Sequence, residues 1–345
     1  MTSLQRVHLW LGSMVCAAAL TTSLAQAGPV LNRIKERGAL RCGVQGPSNP
    51  GFGEPDTQGR WSGFNVDFCR GIAAVIFGDA AKIQAVPVTP QNRFAMLQSG
   101  EADILTQNTT VTMSRDTQLR LNFAAITFFD AQAVMVPRKL AVDSALKLGG
   151  ATICVLPSTT NELNLNDYFQ KHNLQFTPVV IDSRDDLFRA YSEGRCDGIT
   201  SDGTTLAAQR RKLPVPADHI ILPEAMSKEP LGIAMLKGDE ELRMIATWAF
   251  NTLVNAEELG VTQENVEKIA ATTKDPEIRR MLGVDKGLGA GMGVSDDFAV
   301  PLIKAVGNYG EIFERNLGPK TPIGLQRGLN RLWTQGGIMY TAPNR

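Results

Sequence analysis

Histidine is scarce in this sequence, with three in 345 residues, at positions 8, 172 and 219. His172 and His219 have no metal-ligand spacing to one another or to a cysteine, and no two cysteines lie close together. A zinc site of the usual kind is therefore not expected. A charge excess is missing too. With 35 basic and 35 acidic residues, the chain has no surplus for neutralising phosphates, which argues against nucleic acid and against a membrane-surface role resting on bulk charge. Long apolar runs are also absent. The most prominent one, residues 9–20, is shorter than the roughly 20 helical residues that cross a bilayer. The glycines at 287, 289, 291 and 293 follow no strand and precede no lysine–serine pair. They read as a flexible connector and not as a phosphate loop.

The first residues carry a targeting signal. Arg6 precedes the apolar run, Thr21-Thr22-Ser23 follow it, and Ala25-Gln26-Ala27 forms a small-x-small cleavage pattern before Gly28. Cys16 lacks the small preceding residue of a lipid-attachment site, so cleavage after Ala27 is preferred over an anchored N-terminus. Cleavage removes one charge, Arg6, leaving 34 basic against 35 acidic residues. The exported chain is long enough for about two domains, and its apolar content of 43% suffices for ordinary cores.

The stretch from Asp103 to Arg115 organises the rest. Ile104-Leu105 begins a strand that turns polar at Gln107-Asn108-Thr109-Thr110, followed by Thr112, Ser114 and Arg115. In open α/β sheets, ligands sit beyond the carboxyl ends of strands. A lone guanidinium among hydroxyls there suits a small carboxylate, which it can grip with two parallel bonds. The bland alternative is a surface arginine beside a loop.

The chain then repeats a phrase. Leu97-Gln98-Ser99-Gly100-Glu101-Ala102-Asp103-Ile104-Leu105-Thr106 aligns with Tyr191-Ser192-Glu193-Gly194-Arg195-Cys196-Asp197-Gly198-Ile199-Thr200. Each is a helix end, a glycine suited to the left-handed cap, an aspartate and a strand. The second strand ends in Ser201-Asp202-Gly203-Thr204. A third strand, Ala151 to Leu156, leads to Ser158-Thr159-Thr160 at the start of a helix expected over residues 161–169, where free N–H groups favour an anion. Further helices are expected from Asn65 as N-cap through Phe77, and from Asp185, with a capping-box-like start in Ser183-Arg184-Asp185-Asp186. Two lobes of similar α/β construction would thus aim polar strand ends at one ligand. One lobe offers Arg115 for a carboxylate and the other Asp202 for an ammonium, which together describe an amino acid.

At these residues the chain resembles the polar amino acid-binding family of periplasmic solute receptors for ATP-driven importers. The resemblance rests on Gly63-Phe64-Asn65-Val66-Asp67, the phrase around Gly100, Thr110-Val111-Thr112-Met113-Ser114-Arg115, Ser158-Thr159-Thr160 and the phrase from Gly194 to Asp202. It implies a two-lobe periplasmic binding protein fold of type II, with each lobe a helix-flanked α/β sheet. The implied division is residues 28–136, 137–228, and 229–345 returning to lobe one, with crossings near residues 136–138 and 226–230. It implies that Arg115 and the Thr110 hydroxyl bind the ligand α-carboxylate, helped by Ser158 and the N–H of Thr160. Asp202 and the carbonyl of Asn108 would take the ammonium, Phe52 would pack on the side chain, and Arg93 and Arg184 would meet an acidic one. For Arg184 the alternative is pairing with Asp186. The family often has Pro-Glu where this chain has Met113-Ser114, with the arginine spacing intact.

The tail, including Gly307 to Asn316 and Arg327 to Trp333, resembles the general L-amino acid receptors. Helical spacing is clear at Phe298-Leu302-Ile303-Val306 and looser from Ile323 to Trp333, so a helical extension on lobe one is expected. The exported chain keeps Cys42, Cys69, Cys154 and Cys196, which allow several pairings. Cys42–Cys69 and Cys154–Cys196 keep each bridge within one lobe, with buried free thiols as the alternative. The implied function is a monomeric periplasmic receptor without cofactor or metal. It would capture a broad range of L-amino acids, with acidic or polar side chains favoured, for the permease of an ATP-binding cassette importer. The alternatives are a cyclohexadienyl or arogenate-type dehydratase on the same scaffold and a partner of a membrane sensor. The dehydratase is disfavoured because neither His172 nor His219 falls on a strand end and Asp202 is the one carboxylate expected in the cleft.

Overall fold

The computed structural model describes residues 28–46 and 49–345. The signal segment expected over residues 1–27, with Cys16, lies outside the described residues. The chain opens with α1 (Pro29–Arg37), β1 (Leu40–Gln45), a small hairpin of β2 (Glu54–Pro55) and β3 (Trp61–Ser62), α2 (Phe64–Phe77), β4 (Ile83–Val88), α3 (Arg93–Ser99), β5 (Ile104–Thr110), α4 (Met113–Thr117) and β6 (Leu121–Asp130). A second body follows: β7 (Gln132–Pro137), β8 (Thr152–Val155), α5 (Thr160–Lys171), β9 (Thr177–Val180), α6 (Arg184–Ser192), β10 (Gly198–Asp202), α7 (Gly203–Arg210) and β11 (His219–Ile221). The chain then returns through β12 (Glu229–Leu236) to α8 (Glu240–Glu258), α9 (Val266–Thr272), α10 (Pro276–Met281), α11 (Ala299–Val306) and α12 (Tyr309–Asn316).

Two five-stranded sheets result, ordered β4-β1-β5-β12-β6 and β11-β7-β10-β8-β9. Strands β1, β4 and β5 run parallel, and β12 lies antiparallel between β5 and β6. No helix among the described residues is long and apolar enough to cross a membrane.

The first change of sheet falls earlier than the expected crossing at residues 136–138. β6 still pairs with β12 at Asp130, whereas Gln132 already pairs with Asp202 on β10. The chain therefore passes between bodies at Ala131, and residues 132–136 belong to the second body. The reason is the run Ala133-Val134-Met135-Val136, all buried, which needs cover on both faces and so lies inside a sheet. Ala133 and Met135 pack with Leu187 and Ile199 on one face, Val134 and Val136 with Leu165 and Phe169 on the other. On the way back, the Met226 N–H still donates to the Gln132 carbonyl at 2.9 Å, and Glu229 opens β12.

The repeated phrase is structural. Gly100 and Gly194 both end helices at positive φ, 77° and 78°. Asp103 then accepts the N–H of Arg41 at 2.8 Å, while Asp197 accepts that of Thr152 at 2.8 Å. Each aspartate pins the start of the neighbouring strand and fixes the register that carries the polar strand ends into the cleft.

Helix α2 starts one residue before the expected cap. Gly63 takes that place at φ 129°, where a Cβ would stand 2.6 Å from the Phe52 carbonyl, and Asn65 instead turns its amide to Asn108. Asp239 serves two helices at once, its Oδ2 accepting the N–H groups of Val30 and Leu31 at 2.7 and 2.8 Å and its Oδ1 that of Leu242 at 2.9 Å. The cysteines are bonded as Cys42–Cys69 and Cys154–Cys196, with Cα–Cα distances of 6.2 and 5.7 Å, one bridge in each body.

The tail folds onto the first body through α11 and α12. From Ile323 to Trp333 it is not helical beyond single turns at Gly328–Asn330 and Trp333–Gln335. Its side chains hold a strand instead. Asn330 accepts from the N–H of Phe129 at 2.7 Å and donates to its carbonyl at 3.0 Å, and the Tyr309 hydroxyl donates to the Thr127 carbonyl at 3.0 Å. The segment from Gly287 to Gly293 is no loose connector, since the Asp296 carboxylate accepts the N–H groups of Gly289 and Ala290 at 3.0 and 3.2 Å.

Candidate functional site

The cleft between the bodies collects the polar strand ends. From the first body, Arg115 enters from α4, whose N-cap Thr112 accepts the Arg115 N–H. Its guanidinium donates to the Thr110 carbonyl at 2.6 Å. Arg93 is the first residue of α3, buried to 3% exposure. It reaches the Ser158 carbonyl of the second body at 3.4 Å, and its Nε has no partner. Both guanidinium groups face the Phe94 ring, at 4.6 Å for Arg93 and 5.4 Å for Arg115. Burial, with the neighbouring Arg115 charge second, depresses Arg93 to about 9. Burial also lowers Arg115, opposed by Glu229 and Asp202.

From the second body come Asp202, Thr160, Ser158 and Arg184. Asp202 stands at the N-cap of α7, yet its carboxylate makes no capping bond. It accepts from the Asn161 amide at 3.0 Å. Asp130 performs the capping instead, accepting both the N–H and the hydroxyl of Thr204, with the Ala131 N–H at 2.8 Å. Asp202 is thereby released to the cleft. Burial is the main cause that raises both aspartates above the ordinary 3.8, assisted by Asp202 for Asp130 and by Glu229 for Asp202. Ser158 sits at φ 62°, a left-handed conformation costing about 1–3 kcal/mol in a non-glycine residue, and it aims its carbonyl at Arg93. Arg184 is half-buried, and burial lowers it, opposed by Asp202 and Asp185. Its alternative partner Asp186 is taken by Arg189.

Of the residues singled out in the sequence, Arg115, Thr110, Asn108, Arg93, Ser158, Thr160, Asp202 and Arg184 therefore converge. Phe52 does not. Its ring has no exposure and packs edge-on against Phe64 and Phe128, at 6.0 and 6.2 Å between centroids, because the turn before α2 folds it into the first body's core. The Thr110 hydroxyl also departs from its expected task, since it donates to Glu229 at 2.5 Å. Nor is Asp202 the sole carboxylate of the cleft: Asp130 and Glu229 join it. Both stand at the two passages between bodies, and a buried acid beside a passage carries no motif. Asn65, whose amide donates to Asn108 at 2.8 Å, was legible only as a helix cap.

Several buried polar groups of β5 and β7 are incompletely paired. Gln107 Oε1, Asn108 Nδ2, Thr109 Oγ1 and Gln132 Oε1 are buried without hydrogen-bond partners. Such groups are costly unless something supplies a bond. Beside them a cavity of about 400 Å³ opens between the bodies, lined by Gln45, Gln91, Gln107 and Arg184 among others. Gln91 bridges across its edge to the Asp182 carbonyl at 2.8 Å.

With this geometry in place, comparison with known proteins is decisive. Residues 40–265 match the family of bacterial extracellular solute-binding proteins, family 3. The chain belongs to that family. A general L-amino acid-binding periplasmic protein, AapJ of Rhizobium johnstonii, is 46% identical to this binding protein over 338 residues, covering 97% of this chain and 98% of its own. The glutamate/glutamine/aspartate/asparagine-binding protein BztA of Rhodobacter capsulatus is 47% identical over 331 residues, covering 96% of this chain and 97% of its own. A periplasmic binding protein of an ABC transporter from Brucella ovis, solved with glutathione bound, superposes with a TM-score of 0.88 at 45% identity, covering 91% of this chain and 99% of that one. All three are described as binding proteins, and the Brucella ovis structure shares the two-body α/β architecture.

Proposed function

We propose that this binding protein captures L-amino acids in the cleft, acidic and amide side chains among them, and delivers them to the permease of an ATP-binding cassette importer. The observation that carries the reading is the separation of charge: Arg115 on one body and Asp202, released from its capping duty, on the other. Arg115 takes the α-carboxylate with the first-turn N–H groups of α5, beside Ser158 and Thr160. Asp202 and the Asn108 carbonyl take the ammonium. Arg93 and Arg184 lie where an acidic side chain ends, and Gln107 offers an unpaired acceptor to an amide. Opposite charges held apart by fixed elements select a zwitterion, and a side-chain end fixed at Arg93 and Arg184 adds the third point that selects one hand.

The cavity lined by Gln45, Gln91, Gln107 and Arg184 supports a second reading in which the side-chain end also admits a γ-linked peptide. The Brucella ovis protein holds glutathione, a γ-linked peptide.

The site of action is the periplasm, with cleavage after Ala27. Asp239, capping α1, leaves no room for a side chain at residue 28, where a Cβ would stand 2.3 Å from its carboxyl carbon. An ammonium created at Gly28 would meet that carboxylate. Mass spectrometry of the exported protein tests this, and an N-terminus other than Gly28 refutes it.

The deciding experiment is calorimetric titration of unfolded, ligand-stripped and refolded protein with L-amino acids, their D-enantiomers and glutathione, and with arogenate followed by product analysis. Tight binding of several L-forms without turnover supports the receptor. Glutathione binding with Arg184-dependent affinity supports the second reading. Turnover of arogenate, or no binding of any amino acid, refutes the proposal.

A further inference from the structure

Glu229 has no place in the amino-acid clamp, yet it is among the most heavily bonded side chains of the cleft. It lies 1% exposed at the first residue of β12, where the chain re-enters the first body. Its Oε2 accepts the Thr110 hydroxyl of the first body at 2.5 Å and the Thr160 hydroxyl of the second at 2.9 Å. Its Oε1 accepts the Asn164 amide of the second body at 2.8 Å and the hydroxyl of Ser227, in the passage itself, at 2.6 Å. One buried carboxylate thus gathers donors from both bodies and from the connection between them. The two threonine hydroxyls stand 3.3 Å apart across the cleft.

We propose that Glu229 is the latch of the closed form and the positioning residue for Thr110 and Thr160. This rests on the reading of the cleft as the ligand site. Two of the four bonds, those from Thr160 and Asn164, exist only while the bodies are together. Opening breaks both and exposes the carboxylate to water. The latch needs no ligand atom, so it stabilises closure by the same amount for every ligand and also in its absence. It further fixes hydroxyl direction. With their protons directed at Glu229, Thr110 and Thr160 turn lone pairs toward the ligand space, and a ligand carboxylate is left to Arg115 and backbone N–H groups. A receptor with a broad ligand range gains from this arrangement, because part of the closing free energy is independent of side-chain contacts.

The test uses Glu229→Met, which removes all four acceptor sites at similar length, and Asn164→Ala, a change on a half-exposed helix position that leaves the core intact. Small-angle scattering of the ligand-free proteins reads closure directly, without reference to any ligand. The wild type is expected to be more compact than either variant. Stopped-flow dissociation of bound L-glutamate is expected to be about tenfold faster in Asn164→Ala, the loss of one charge-assisted bond, and faster again in Glu229→Met. Adding Asn164→Ala to Glu229→Met should change the rate by less than twofold, since both remove the same contact. Identical ligand-free scattering in wild type and variants overturns the latch, as do additive effects in the double variant. If no amino acid binds, the functional reading fails, and the scattering comparison still decides the latch.

Discussion

Arg93 offers the sharpest separation between a site residue and a structural one, because its two roles have opposite signs. Its guanidinium is buried, makes one 3.4 Å bond and leaves Nε without a partner. Depression from the ordinary guanidinium range to about 9, at roughly 1.36 kcal/mol for each pH unit, corresponds to a ceiling of about 5 kcal/mol held against the ligand-free fold. Relaxation and water entry reduce such penalties, so about 1–3 kcal/mol is the working figure. Arg93→Met keeps an aliphatic stem against Phe94 and removes the charge. The ligand-free variant should therefore melt higher than the wild type. At about 2–4 °C for each kcal/mol in chains approaching this size, the gain is roughly 2–12 °C.

L-glutamate, by contrast, should lose a charge-assisted bond of about 1.5–3 kcal/mol, weakening its binding roughly 10- to 150-fold, while L-alanine should change by less than about threefold. Scanning calorimetry of ligand-stripped protein and titration with the two amino acids measure both sides. A lower melting temperature together with equal losses for glutamate and alanine would refute the reasoning and make Arg93 a part of the fold.

Other outcomes follow from the same geometry. Asp202→Asn should weaken every amino acid by about a hundredfold, the loss of a charge partner for the ammonium; calorimetry showing side-chain-dependent losses would remove it from the common clamp. Asp130 and Asp202 are raised above 3.8 in the fold, so the folded cleft holds more protons than the unfolded chain above that pH. The stabilisation is complete below about 3.8 and is lost as pH rises through the folded values toward neutrality. Ammonium binding favours ionised Asp202, so affinity should rise with pH over that window with proton release, and titration in buffers of different ionisation enthalpy would show it. Replacing both cysteines of the Cys154–Cys196 bridge, with a sequence separation of 42, should cost the second body about 4 kcal/mol. For Cys42–Cys69, with a separation of 27, the cost to the first body is about 3.5 kcal/mol. Denaturant unfolding followed body by body checks the assignment.

Much of the fold was legible because it is written in local rules. Glycines at left-handed helix ends, the aspartates after them and the polar ends of apolar strands announced two bodies and the cleft between them. The errors have a common cause. Phe52 follows a glycine-rich turn, and nothing local says whether that turn folds outward to a ligand or inward to Phe64 and Phe128. Val136 closes an apolar run whose partner strands come from later in the chain, so the crossing at Ala131 is set by long-range pairing. Asp130 and Glu229 acquire their roles from bonds to residues 74 and 119 positions away, a relation no spacing records. The extension from Ile323 to Trp333 misled because its apolar residues serve separate turns, while Asn330, polar and unremarkable in sequence, ties it to β6.

That contact has a use for anyone building an optical sensor. Tyr309 and Asn330 fasten the tail to the last residues of β6, so the tail moves with the first body right up to the passage at Ala131. A fluorophore at residue 340, where Tyr340 is 74% exposed, and another at residue 163, where Leu163 on α5 is 65% exposed, would ride on opposite sides of that pivot. Energy transfer between them would report ligand capture without a label near the cleft.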